Sequence, residues 1–145
     1  WMAGSTIPKG WGPKRPTALI ADDEPHIRAL LGTFITQLGG DVVALASDGE
    51  EAVRLYEQQR PDLSLLDINM PRLTGEQAIA RIMQLNPDAL VIMLTGQDSV
   101  DSVRRCIDLG ARNYILKNNP AIEIFELIKN SWTEYVAEIR GKAPE

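Results

Sequence analysis

Apolar residues fall into two alternating kinds of segment along the chain. Short runs of four to six are bounded by turn-forming residues: Thr17-Ala18-Leu19-Ile20-Ala21, Asp41 to Ala46, Leu63-Ser64-Leu65-Leu66, Leu90 to Leu94 and Asn113-Tyr114-Ile115-Leu116. Runs of this length, flanked by Gly, Pro, Asn and Asp, predict strands, and the near-continuous ones predict strands buried on both faces. Between them the spacing changes to a helical one. Ile27, Leu30, Leu31, Phe34, Ile35 and Leu38 recur at intervals of three and four and define one face of a helix. Pro25 suits its first turn, where a missing N–H costs nothing, and Gly39-Gly40 stops it.

The other helices carry their own start and stop signals. Asp48 with Glu51, and Thr74 with Gln77, have capping-box spacing. The first opens a helix through about Gln58, and the second one whose residues Ala78, Ile82 and Leu85 face inward before Asn86-Pro87. Asp98 or Ser99 caps a helix through about Leu109, which Gly110 ends. Asn119 caps and Pro120 starts a last helix to about Arg140. Five strands alternating with five helices, on short connections, predict an α/β fold: a parallel sheet with right-handed crossovers and helices on both faces.

Residues 1–16 hold three prolines and three glycines and predict a flexible tail; residues 17–140 form the one domain, and 141–145 a disordered end. At 44% hydrophobic and 24% charged residues, the 145-residue chain has the composition of a soluble globular domain, with no apolar run long enough for a membrane span. One cysteine, Cys106, forms no internal disulfide and fits a cytoplasmic location; it is expected as core filler. His26 is expected to be solvated. The net charge is −5, with +3 on residues 1–16 and −8 on the rest. An acidic body argues against direct nucleic-acid binding and suits a hard cation.

The chemistry gathers at the carboxyl ends of the strands, the edge where open α/β sheets bind ligands. The first strand ends in Asp22 and Asp23, the third in Asp67, the fourth in Thr95 and the fifth in Lys117. Asp67 alone could be a helix cap or a turn former. Three converging carboxylates, however, repel one another, and a divalent cation such as Mg²⁺ relieves that cost. A lysine and a hydroxyl opposite the cation suit a transferring phosphoryl group, with Asp67 as its nucleophile.

Ala21-Asp22-Asp23-Glu24-Pro25, Asp67-Ile68-Asn69-Met70-Pro71 with Gly75, Leu94-Thr95-Gly96, and Gly110 through Lys117 resemble the receiver domain of two-component response regulators, over residues 17 to about 131. The resemblance implies a flavodoxin-like sheet of order 2-1-3-4-5, a winding for which this family is a standard example. It implies that Asp67 accepts phosphoryl from the phosphohistidine of a sensor histidine kinase or a phosphotransfer protein. Asp23, Asp67 and the Asn69 carbonyl would bind Mg²⁺ directly, and Asp22 mainly through water. Lys117 and Thr95 would hold phosphoryl oxygens, and Asn69 and Gln97 would flank the water that removes the group. Tyr114 matches the aromatic switch position, whose ring moves inward as Thr95 shifts, altering the face formed by the fourth helix, fifth strand and fifth helix; the same residue could also be an ordinary packed strand aromatic. The chain would catalyse only its own phosphorylation and dephosphorylation. One departure stands out: Lys117 is followed by Asn118-Asn119-Pro120, where the family usually has proline directly after the lysine. A trans bond before Asn118 is expected, because a cis one would cost about 2.5–4 kcal/mol.

Two other functions remain open. A haloacid-dehalogenase-type aspartyl phosphatase also uses an Asp nucleophile with Mg²⁺, but wants a second Asp where Asn69 stands. A phosphorylation-independent interaction domain on the same scaffold is the other. The last helix raises a further expectation. At about 21 residues it would run ~31 Å, past strands of roughly 17–20 Å. Its stripe continues through Trp132, Tyr135, Val136 and Ile139, so it should overhang the sheet and need a cover: a second copy in a homodimer, an output domain, or the tail through Trp11. The alternative is a helix that ends near Thr133.

Overall fold

The computed structural model describes residues 15–96 and 100–142, with side-chain surroundings through Ile139. The expectations for the tail before Arg15, for Gln97, for capping by Asp98 or Ser99 and for the end of the chain lie outside these residues. The elements are β1 (Thr17–Ala21), α1 (Pro25–Gln37), β2 (Asp41–Ala46), α2 (Gly49–Gln59), β3 (Leu63–Asp67), α3 (Gly75–Leu85), β4 (Leu90–Thr95), α4 (Val100–Leu109), β5 (Asn113–Leu116) and α5 (Ala121–Lys142). The five strands pair in parallel, as their pattern predicts, in the order β2-β1-β3-β4-β5 that the family resemblance implies.

Period-2 alternation along the strands divides the core into two layers. Leu19, Ala21, Leu66, Val91 and Met93 pack with Ala52 and Tyr56 of α2, Ile79 and Ile82 of α3, and Cys106 of α4. Ala18, Ile20, Leu65, Ile92 and Leu94 pack on the other side, with Leu31 and Ile35 of α1 and Ile124, Ile128 and Trp132 of α5. Every residue of β3 and β4 is buried, so these strands carry almost no polar residue until their last position.

Local signals act as their chemistry predicts, with small differences. Thr74 and Gln77 form both halves of a capping box. Asp48 accepts the Glu51 N–H, but the Glu51 carboxylate returns to the N–H of Ser47 rather than to that of Asp48. Within the expected stripe of α1, Leu30 lies at the outer margin and is exposed. Pro120 stands one place earlier than expected: its carbonyl accepts the N–H groups of Glu123 and Ile124, and α5 opens at Ala121. The left-handed Arg60 that closes α2 had no sequence signal; its guanidinium bonds the Leu85 carbonyl and lies over the Tyr56 ring.

α5 runs past the strands beneath it, as expected, but most of its stripe there is covered by its own chain. The helix neither ends near Thr133 nor leaves its stripe bare. Trp132 is buried in the core, with Tyr135 and Val136 packed against it. The Tyr135 hydroxyl donates to the Asp88 carbonyl at 2.8 Å, and Arg112 lies over the Tyr135 ring while pairing with Glu138 at 2.6 Å. The loops before β4 and β5 rise to meet the helix, so the surface it packs on is longer than the strands. Of the stripe, Ile139 remains exposed.

Candidate functional site

Asp67 ends β3 and is buried. Its position is fixed by backbone geometry on both sides. The Ile68 N–H donates to the Leu94 carbonyl, and the Gly75 N–H at the start of α3 donates to the Ile68 carbonyl. A Cβ on Gly75 would stand 2.3 Å from the Asp67 carbonyl oxygen, so only glycine allows this approach of helix to strand end. The Asp67 Oδ1 accepts the Asn69 N–H at 3.1 Å, and its Oδ2 accepts a hydrogen bond from Lys117 Nζ at 3.1 Å.

Asp22 and Asp23 follow β1, the neighbouring strand. Asp22 is fully buried and Asp23 exposed. The Asp22 N–H donates to the Ala46 carbonyl, and its own carbonyl accepts Arg28 Nη1 at 2.7 Å. One carboxylate oxygen of Asp22 accepts the Glu24 N–H at 2.8 Å. The other lies 2.7 Å from Lys117 Nζ, an ion pair whose angles do not make a hydrogen bond, so Asp22 Oδ2 is buried without a hydrogen-bond donor. Carboxylate oxygens of Asp22, Asp23 and Asp67 all lie within 4.8 Å of one another. Three hard oxygen donors, one of them buried and without a hydrogen bond, fit a small divalent cation such as Mg²⁺.

Lys117 leaves β5 with its N–H on the Thr95 carbonyl, at 2.9 Å. Its ammonium reaches Asp22, Asp67 and Glu24, the last at 2.9 Å. No described peptide bond is cis, so the bond after Lys117 is trans, as expected without a following proline. Burial and the nearby Asp22 push the Asp67 carboxyl up to about 6, against the opposing pull of Lys117. Burial by itself would lower Lys117, but its close contacts with the carboxylates of Asp22, Glu24 and Asp67 outweigh that and hold it above the usual lysine range. The hydrogen bond to Lys117 holds Glu24 below the usual carboxylate range.

The structure thus brings Asp22, Asp23, Asp67 and Lys117 into one cleft, with Thr95 buried beside it and Asn69 exposed at its rim. Tyr114 lies apart from them. It points out from β5 and lines a surface cleft of about 260 Å³ with Val100, Val103, Arg104 and Ile107 of α4. His26 is solvated, as expected. Glu24 is the site residue that sequence reasoning passed over: its pairing with Lys117 spans 93 residues, and a third acid after an acidic pair carries no signal for that.

The geometry agrees with comparisons to known proteins. The family model described as "Response regulator receiver domain" matches residues 18–129. The chemotaxis protein CheY of Thermotoga maritima is 36% identical over 99 residues, covering 68% of this chain and 82% of the relative. A putative transcriptional regulator of Pseudomonas aeruginosa is 32% identical over 118 residues, which are 81% of this chain and 57% of that longer protein. Among solved structures, CheY in the CheX–CheY–BeF3–Mg complex from Borrelia burgdorferi superposes with a TM-score of 0.78 at 28% identity, covering 86% of this chain and 94% of that one. Acidic cluster, lysine, sheet order and sequence agree, and the chain belongs to the response regulator receiver domain family.

Proposed function

We propose that this receiver domain is a phosphorylation-dependent switch, with Asp67 as the phosphoacceptor and a sensor histidine kinase or phosphotransfer protein as the donor. One observation carries the reading: Asp67 is the carboxylate that faces both the acidic pair and the Lys117 ammonium. An Asp67 oxygen attacks phosphorus, the P–N bond of the donor's phosphohistidine breaks with its electron pair going to the ring nitrogen, and an acyl phosphate forms. Lys117 and the Thr95 hydroxyl hold phosphoryl oxygens, and Asn69 and Gln97 flank the water that later removes the group. Asp23, Asp67 and the Asn69 carbonyl would hold Mg²⁺ directly and Asp22 mainly through water, and the ion would supply charge neutralisation when bound. The Borrelia CheY, whose structure was solved with Mg and BeF3, supports this by similarity.

In this reading the domain catalyses only its own phosphorylation and dephosphorylation. The Tyr114 ring, exposed here, turns inward as Thr95 is drawn to the phosphate, and the α4–β5–α5 face changes for a partner. The longer transcriptional regulator among the relatives supports an output domain as one such partner. Protein recognition, rather than direct nucleic-acid contact, fits the acidic body. No helix among the described residues is long and apolar enough to cross a membrane, in keeping with work in the cytoplasm. Incubation with Mg²⁺ and a small acyl phosphate should add one phosphoryl group per chain, and Asp67→Asn should abolish it. Stable labelling of that variant elsewhere would overturn the assignment, and steady turnover of a generic phosphate ester would favour a phosphatase.

A further inference from the structure

Glu24 joins a fixed backbone to a half-exposed side chain. Its backbone is fixed: the N–H donates to Asp22 Oδ1, and the carbonyl accepts the N–H groups of Ile27 and Arg28. It is the N-cap residue of α1, yet its side chain makes no capping bond. The carboxylate crosses to Lys117 instead, with Oε1 2.9 Å from Nζ. Its other oxygen lies 3.6 Å from His26 Nε2, on the solvent side.

The ammonium has three protons and three carboxylate neighbours, Asp22, Glu24 and Asp67. A phosphoryl oxygen on Asp67 needs one of those positions. Asp22 and Asp67 are buried and held by backbone N–H groups. The Glu24 side chain is 46% exposed, and an ion pair with so wet a partner is weak and easily broken.

We propose that Glu24 is an anionic placeholder on Lys117: its carboxylate occupies the ammonium position that a phosphoryl oxygen takes, and it swings into water when Asp67 is phosphorylated. The inference rests on Asp67 as phosphoacceptor. It makes Glu24 a positioning residue that opposes phosphorylation by competition and by like-charge repulsion, a different role from that of the cation ligands.

The test uses the full chain and Glu24→Gln and Glu24→Ala, neither of which removes a capping bond. Beryllofluoride binding at saturating Mg²⁺ is measured by calorimetry, Mg²⁺ binding without it separately, and labelling by a small acyl phosphate by mass. Both variants should bind beryllofluoride about two- to fivefold more tightly, as expected for loss of a weak competing pair, and label faster by a similar factor. Neither should bind Mg²⁺ alone more tightly. Unchanged or weaker beryllofluoride binding, or a gain matched by an equal gain in Mg²⁺ affinity, overturns the placeholder. If the wild-type chain itself takes no phosphoryl group on Asp67, the phosphoacceptor reading falls and this inference with it. Wild-type labelling at Asp67 with unchanged variants overturns this inference alone.

Discussion

Lys117 Nζ stands 3.1 Å from Asp67 Oδ2 across 50 residues of sequence, and each group offsets the other's burial. Removing the cation therefore leaves two buried carboxylates, Asp22 and Asp67, facing each other. Breaking a buried pair from one side costs more than the pair contributes. Lys117→Ala should lose about 3 kcal/mol at pH 7.5 in the absence of Mg²⁺. Its loss should shrink at pH 5.5, because a proton on Asp67 then removes one of the charges. Thermal unfolding at both pH values checks this, and an equal loss at both would contradict it.

Asp67 itself gives a pH dependence of definite sign. Its carboxyl is raised from 3.8 to about 6 in the folded chain, so the native state holds a proton that the unfolded state has lost. The stability it contributes is complete below about pH 4 and is lost as pH rises through 6. In metal-free protein, Asp67→Asn should therefore exceed wild type in stability at pH 7.5, with the gap closing toward pH 4. Mg²⁺ needs the ionised form. Its affinity for wild type should be flat above about pH 7 and fall by up to ~10-fold per unit well below pH 6. A Mg²⁺ titration with unchanged affinity from pH 7.5 to 5 would refute the raised carboxyl.

How far the sequence reached follows from the range of each signal. Strands and helices were legible because alternation and three-four spacing are local, and Thr74, Gln77 and Pro25 lie beside the ends they set. The cleft was legible because parallel strands place their last residues on one edge, while the sheet order that brings Asp22, Asp67 and Lys117 together there came from the family resemblance. Three features were not. The Glu24 carboxylate was free to turn to solvent or across the cleft, and only the Lys117 position decides which. Arg60 adopts a left-handed conformation that its residue type does not announce. The cover over Tyr135 comes from Asp88 and Arg112, loop residues whose height above the sheet no periodicity encodes.

The acidic pair divides its work between structure and binding. Asp22 is buried and holds both the Glu24 N–H and the Lys117 ammonium, whereas Asp23 is exposed. Asp23→Ala should weaken Mg²⁺ binding with little change in unfolding temperature. Asp22→Ala should weaken Mg²⁺ less and alter stability more. Equal Mg²⁺ losses in the two variants would remove the division.

Gly75 makes the strand end and the helix start touch, and it tests how rigid Asp67 must be. An added methyl group would meet the Asp67 carbonyl oxygen at 2.3 Å and the Ile68 Cα at 2.7 Å. Both are backbone atoms that cannot turn aside. Gly75→Ala should cost roughly 1–3 kcal/mol, the usual range for overpacking. It should also slow acyl-phosphate labelling, because relief of the clash moves Asp67 relative to Lys117. A stable variant with wild-type labelling would show that the edge yields more easily than this contact suggests.

The last turns of α5 separate an intramolecular role from an intermolecular one. Read from sequence, the stripe after Ser131 called for a partner. In the structure Trp132 is 6% exposed, Tyr135 bonds Asp88, and Glu138 pairs with Arg112. These contacts bind the helix to the loops that precede β4 and β5 in its own chain. A chain ending at Ser131 should therefore lose stability, and Trp132→Ala should account for most of the loss. Truncating a buried Trp costs about 3–5 kcal/mol, so denaturant midpoints should fall sharply in both variants. Sedimentation distinguishes the alternative. If the stripe served mainly to hold two copies together, the full chain would sediment as a dimer, the truncated chain as a monomer, and dilution of the full chain would mimic truncation. The packing of Trp132 predicts the reverse: a midpoint that is independent of concentration in the full chain and low in the truncated one at every concentration.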